Sequence, residues 1–178
     1  MRKIATGFLT IALIAGLGAF AWTACGAEEG TDQASGGECC KAGDTTPPLD
    51  LIKATPKGGL HNPYNDQIAG LAEEGKKKYL SFSCNGCHGG GGGGGMCPPL
   101  TNATWVYGGD DDTLFRLVSL GSDQLQKEGY HRVKTEIVTG PMPPFGGIIK
   151  TSDDLWKVIA FIRSVNPGSM ELVDKPAQ

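Results

Sequence analysis

Cys84-Asn85-Gly86-Cys87-His88 is followed at once by seven glycines, residues 89–95. Two thiols three positions apart with an adjoining imidazole form the C-x-x-C-H pattern of covalent haem attachment. The thiols are spaced to add across the two vinyl groups of one porphyrin, and the same turn of chain delivers His88 to the iron. Two other chemistries use similar spacing. A zinc site needs a second Cys or His pair, and Cys97 alone does not supply one. A thioredoxin-like redox pair needs a strand before it and a long helix after it, where this chain has glycine. The reading is therefore one haem c, bonded to Cys84 and Cys87 and ligated by His88.

Working outward, three helices are legible on either side of the motif. Ile68, Leu71, Ala72, Gly75, Tyr79 and Phe82 recur at helical spacing and predict a helix over 66–82. Asp110-Asp111-Asp112 reads as an acidic cap opening a second helix, with Leu114, Phe115, Leu117 and Val118 on its face and Gly121 as its stop. A third opens at Ser152-Asp153-Asp154, carries Leu155, Trp156, Val158, Ile159, Phe161 and Ile162, and ends at Asn166-Pro167-Gly168. The fold class is all-α, with three main helices and long loops. Loops of that length suit a small domain only if an apolar cofactor fills its centre.

A sixth iron ligand is expected in Gly140-Pro141-Met142-Pro143-Pro144-Phe145, 54 positions after His88. The flanking prolines restrict the backbone and hold the thioether in place. A Met/His axial pair suits electron transfer. The competitors are weaker. Met96 is too near the motif to reach the opposite haem face, Met170 lies past the last helix, His131 follows a polar stretch, and His61 stands at the domain's start.

On these residues the chain resembles the class I cytochromes c from residue 62 to 166. Gly75 and Tyr79 match the family's N-terminal helix, Pro98-Pro99-Leu100 its P-x-L loop with Cys97 in place of the usual Gly, and Leu155, Trp156 and Ile159 its C-terminal helix. The resemblance implies the class I fold, in which the last helix crosses the first near Gly75. It also implies that the Pro98 carbonyl accepts the His88 ring N–H, and that Trp105 and Tyr107 bond the haem propionates or pack on its apolar face. A narrower resemblance runs through Met96-Cys97-Pro98-Pro99-Leu100, Trp105-Val106-Tyr107, Asp110-Asp111-Asp112 with Leu114-Phe115, and Gly140 to Gly146. It is to the periplasmic cytochromes that accept electrons from quinoprotein (PQQ-dependent) methanol dehydrogenases in methylotrophic bacteria. It implies a non-enzymatic monohaem carrier of single electrons. The donor would be that dehydrogenase, and the acceptor a later cytochrome or oxidase. The rival classes are a haem-based sensor or gas-binding module with a displaceable Met142, and a peroxidase-type enzyme.

The chain of 178 residues has a formal charge of −3, which gives no basic field for nucleic acid. Arg2 and Lys3 precede an apolar stretch over 4–20 and small residues at Ala19 and Ala21. This is the layout of a secretory signal over 1–24, with a retained anchor as the alternative. Thr23-Ala24-Cys25 resembles a lipobox, which would place a lipid on Cys25. Export points to the periplasm. Residues 25–60 are rich in Gly, Pro and acidic side chains and read as a flexible tether. The haem domain is expected over 61–168, followed by a C-terminal tail over 169–178. Cys97 could pair with Cys39 or Cys40, or those two with each other. Lys76, Lys77 and Lys78 read as a solvated helix face, and the glycine run as a porphyrin-edge backbone or a roleless insertion.

Overall fold

The computed structural model describes residues 40–175. The expected signal, Cys25 and Cys39 lie outside them. Among the described residues the chain is helical, without strands: α1 (Pro48–Ala54), a 3-10 turn (Asn65–Gln67), α2 (Ile68–Ser81), α3 (Asn85–His88), α4 (Asp111–Lys127), α5 (Ser152–Val165) and a second 3-10 segment (Pro167–Leu172).

The frame is the crossing of α2 over α5. A Cβ on Gly75 would stand 2.1 Å from the Lys157 carbonyl oxygen and 3.0 Å from Phe161 Cβ, so only glycine lets the two backbones approach this closely. One turn along α2, the Tyr79 and Phe161 rings pack tilted with centroids 4.9 Å apart. Leu155, Trp156 and Ile159 are fully buried beneath the crossing, and Phe115 of α4 stacks on Trp156 at 4.3 Å. Helix α5 is capped by the Thr151 side chain, which accepts from the Asp154 N–H at 3.2 Å.

The expected tether does not extend to residue 60. Pro48 occupies the first turn of α1, where its missing N–H has no helical partner to lose. Leu51, Ile52 and Leu60 are buried in the core, and each such side chain contributes about 1.5–3 kcal/mol. The segment before α1 is tied to the start of α5, because Ser152 N and Oγ both donate to the Thr46 carbonyl, at 2.8 and 2.7 Å. Average composition hides these few apolar side chains. The expected C-terminal tail is also packed as far as residue 173. Ser169 is buried, and the Asp111 N–H donates to the Val173 carbonyl at 3.2 Å.

Two readings of α4 change. Only Asp110 caps the helix, accepting from the Thr113 N–H at 2.9 Å. Asp111 and Asp112 turn inward as buried carboxylates. Asp111 meets Arg163 of α5 at 2.7 Å with both side chains fully buried, and Asp112 meets Arg116 at 3.0 Å. Gly121 does not end α4 either. It adopts φ 73° and ψ 165°, a break after which the helix resumes to Lys127.

Candidate functional site

The chain reverses between α2 and α3 at Ser83, whose φ of 62° makes it the one non-glycine residue in the left-handed region among those described. Cys84 N–H then donates to the Tyr79 carbonyl at 3.1 Å, and the single turn of α3 carries Cys87 and His88. Cys84 is buried, and burial pushes its thiol up to about 11, helped by the neighbouring Cys87. A redox pair of the thioredoxin kind depends on a lowered thiol pKa, so this environment argues against it. No group of three or more His, Cys, Asp and Glu side chains among the described residues is arranged to hold a metal ion.

His88 Nδ1 lies 2.9 Å from the Pro98 carbonyl oxygen. A carbonyl only accepts, so Nδ1 carries the proton and Nε2 presents its lone pair elsewhere. A cavity of about 400 Å³ borders His88, within the ~300–1,000 Å³ range of cofactor pockets. Its apolar wall comes from Leu114 and Val118 of α4, Val158 and Ile162 of α5, and Leu100 and Trp105 of the intervening loop. Cys84, His88 and Met142 line it too. A second cavity of about 230 Å³ shares those three residues and adds Cys87, Met96, Pro143 and Phe145.

The residues expected to act together are therefore brought to one place. Pro98, Trp105 and Tyr107 line the larger cavity. Tyr107 is buried against Leu125 and Tyr130, so its ring is partly core, whereas Trp105 is half-buried. Among the rival ligands, His131 is exposed, His61 faces Asp174 at 3.6 Å, and neither lines either of these two cavities. Met96 borders only the smaller cavity and is 65% exposed. An apolar slot with an oriented imidazole, a thioether, a buried Cys84 and a half-buried Cys87 fits a covalently held porphyrin.

Several polar lining residues were not legible in the sequence. Asn102, Ser122, Gln126 and Arg132 reach the larger cavity from three separate segments. Arg132 sits there because Val133 N–H and Lys134 N–H both donate to the Val106 carbonyl, at 2.8 and 3.2 Å, folding the 131–139 loop beside the site. No local pattern marks such residues. Their roles come from loop packing alone.

Cys97 N–H donates to the Cys87 carbonyl at 3.1 Å, and its thiol contacts that of Cys87. Burial and that contact push it up to about 11. The glycine run is a wound turn rather than a loose insertion. Tyr79 Oη donates to the Gly89 carbonyl at 2.7 Å, Gly94 N–H to the His88 carbonyl at 2.9 Å and Leu100 N–H to the Gly92 carbonyl at 2.7 Å.

No match was found among curated proteins. Over residues 72–166 the chain matches the family model described as Cytochrome c. That span begins in α2, takes in the attachment motif, the oriented histidine and the methionine loop, and closes with α5. More than half of its length is thus accounted for, and the chain belongs to the cytochrome c family, haem electron-transfer proteins that hold haem c covalently.

Proposed function

We propose that this protein is an exported carrier of single electrons, with Cys84 and Cys87 as the thioether sites and His88 and Met142 as the axial pair. The observation that carries the assignment is the shared cavity. His88 is oriented by Pro98 so that Nε2 is free, and Met142 lines the same apolar space. The haem supplies the one-electron redox centre. The chain's part is to orient the imidazole, hold the thioether, and keep water from the apolar walls of α4 and α5.

For the donor we propose a periplasmic quinoprotein methanol dehydrogenase, with a later cytochrome or oxidase as acceptor. The support is the convergence of the narrower resemblance. Segments around Cys97–Leu100, Trp105–Tyr107, Leu114 and Gly140–Met142 all contribute lining to one cavity. Charge gives little steering: from residue 61 onward there are 11 basic and 13 acidic side chains. The lysine run is partly consumed as well, since Lys78 pairs with Asp154 at 2.5 Å. Exposed Met96 and Val138 beside the site favour apolar docking.

Mixing the reduced dehydrogenase with the oxidised holoprotein in a stopped flow tests this. The expected result is rapid haem reduction with weak dependence on added salt. No reduction rejects the donor, and a steep fall with salt rejects the apolar mode of docking. Avid carbon monoxide binding by the ferrous protein would favour the sensor reading instead.

A further inference from the structure

The loop bearing Met142 is unusually poor in hydrogen-bond donors. Between Pro141 and Gly146, three positions are proline, which leaves the N–H groups of Met142, Phe145 and Gly146. All three are donated to one place, the break in α4. Met142 N–H goes to Ser122 Oγ at 3.0 Å, Phe145 N–H to the Val118 carbonyl at 2.9 Å, and Gly146 N–H to the Ser119 carbonyl at 2.9 Å. In return the Ser122 N–H donates to the Met142 carbonyl at 3.0 Å. In an uninterrupted helix that N–H would bond the Val118 carbonyl.

The break makes the exchange possible. At φ 73° and ψ 165° Gly121 occupies a region of backbone space that is essentially glycine's alone. A Cβ there would stand 2.6 Å from the Met142 carbonyl oxygen and 2.8 Å from the Pro144 nitrogen. Both main-chain polar atoms of Met142 are thus bonded to Ser122, which is itself buried.

We infer that Gly121 and Ser122 are positioning residues for the sixth ligand. The interruption of α4 is a seat that clamps the Met142 backbone and aims its thioether into the cavity. Leu49 of α1 closes the seat from behind, since a Cβ on Gly146 would meet Leu49 Cδ2 at 2.6 Å. The inference rests on Met142 being the ligand, and the test separates the two claims.

Holoprotein carrying Ser122→Ala, Ser122→Thr, Gly121→Ala or Met142→Ala is compared with the parent. The readouts are the weak red charge-transfer band of methionine-ligated ferric haem, carbon monoxide affinity of the ferrous form, and helical circular dichroism. Met142→Ala should abolish the band. Ser122→Ala should raise carbon monoxide affinity about fivefold, the equivalent of one ordinary hydrogen bond lost from the methionine-bound state. Ser122→Thr, which keeps the hydroxyl, should restore it. Gly121→Ala should lose the band while helical content persists, and if it fails to fold, the Ser122 pair decides. If Met142→Ala abolishes the band while Ser122→Ala leaves band and affinity unchanged, the seat has no such role and the inference falls alone. A band that survives Met142→Ala overturns the ligand assignment and the inference together.

Discussion

Asp111→Ala is expected to bring the domain close to unfolding. The Asp111 carboxylate accepts from Arg163 at 2.7 Å, from the Asn62 N–H at 2.8 Å and from Asn65 Nδ2 at 2.7 Å. Arg163 is also fully buried, and its Nε already lacks a partner. Removing the carboxylate therefore leaves a guanidinium charge in a dry interior. Its remaining bonds are to the Ser169 and Gly109 carbonyls. Breaking one side of a buried pair costs about 3–5 kcal/mol, against a total stability of about 5–15 kcal/mol for a domain. Guanidinium denaturation of the holoprotein, followed by circular dichroism and haem absorbance, measures the cost. The double replacement Asp111→Ala with Arg163→Met should cost less than the sum of the single changes, because no lone charge remains. A single-variant cost below about 1 kcal/mol would refute the reasoning, since that is the scale of an exposed pair.

Two further outcomes follow from the geometry. Gly90→Ala and Gly91→Ala should be neutral or stabilising by about 0.4–1 kcal/mol, because a Cβ at either meets nothing within 4 Å. Gly89→Ala should destabilise, since its φ is +76° and the added carbon would lie 2.6 Å from the Gly94 carbonyl oxygen; thermal melts of the three variants check the contrast. Asp153 gives a pH signature. Burial raises its pKa, but hydrogen bonds from Tyr64, Lys157 and the Gly43 N–H outweigh that and hold the carboxyl below its usual value. A depressed folded pKa means the contribution is present above the unfolded value of about 3.9 and is lost as pH falls through the folded one. Asp153→Asn should lower stability at neutral pH and flatten its decline on acidification, measured by urea titrations across pH 2–7.

The parts of the fold legible in the sequence were those with a local cause. The attachment motif is five adjacent residues, and Gly75 and Tyr79 share a helix face one turn apart. The loop of Met142 stands out in the sequence because prolines mark a stiff segment whatever it packs on, and Met142 lines the same cavity as His88. Asp111 and Asp112 were misread because an acidic run before an apolar one looks the same whether its carboxylates face water or a buried arginine. Arg116 lies one turn along α4 from Asp112, whereas Arg163 lies on α5, 52 positions from Asp111, so the sequence shows the first pair only as an ordinary helical spacing and the second not at all. The tether was drawn too long for a related reason. Leu51, Ile52 and Leu60 are few, yet Leu60 and Asn62 donate their N–H groups to the Asp112 and Asp111 carboxylates. What binds that segment is again the inward acidic turn.

Helix α4 is thus held at two points by different means, its first turn and its internal break. Its first turn is pinned by Asp111 to Arg163 of α5, and Arg116 reaches across to the Thr55 and Pro56 carbonyls at 2.8 and 3.0 Å. Its break at Gly121 receives the methionine loop. Between these points lie Leu114, Leu117 and Val118, which line the cavity. Buried ion pairs position those walls directionally where apolar contact would not. On this argument, weakening the Asp111–Arg163 pair should loosen the methionine seat as well as the fold. Carbon monoxide affinity of ferrous Asp111→Asn should then rise while the protein is still folded. An affinity equal to the parent's, in a variant of reduced stability, would show that the first turn of α4 and its break act independently.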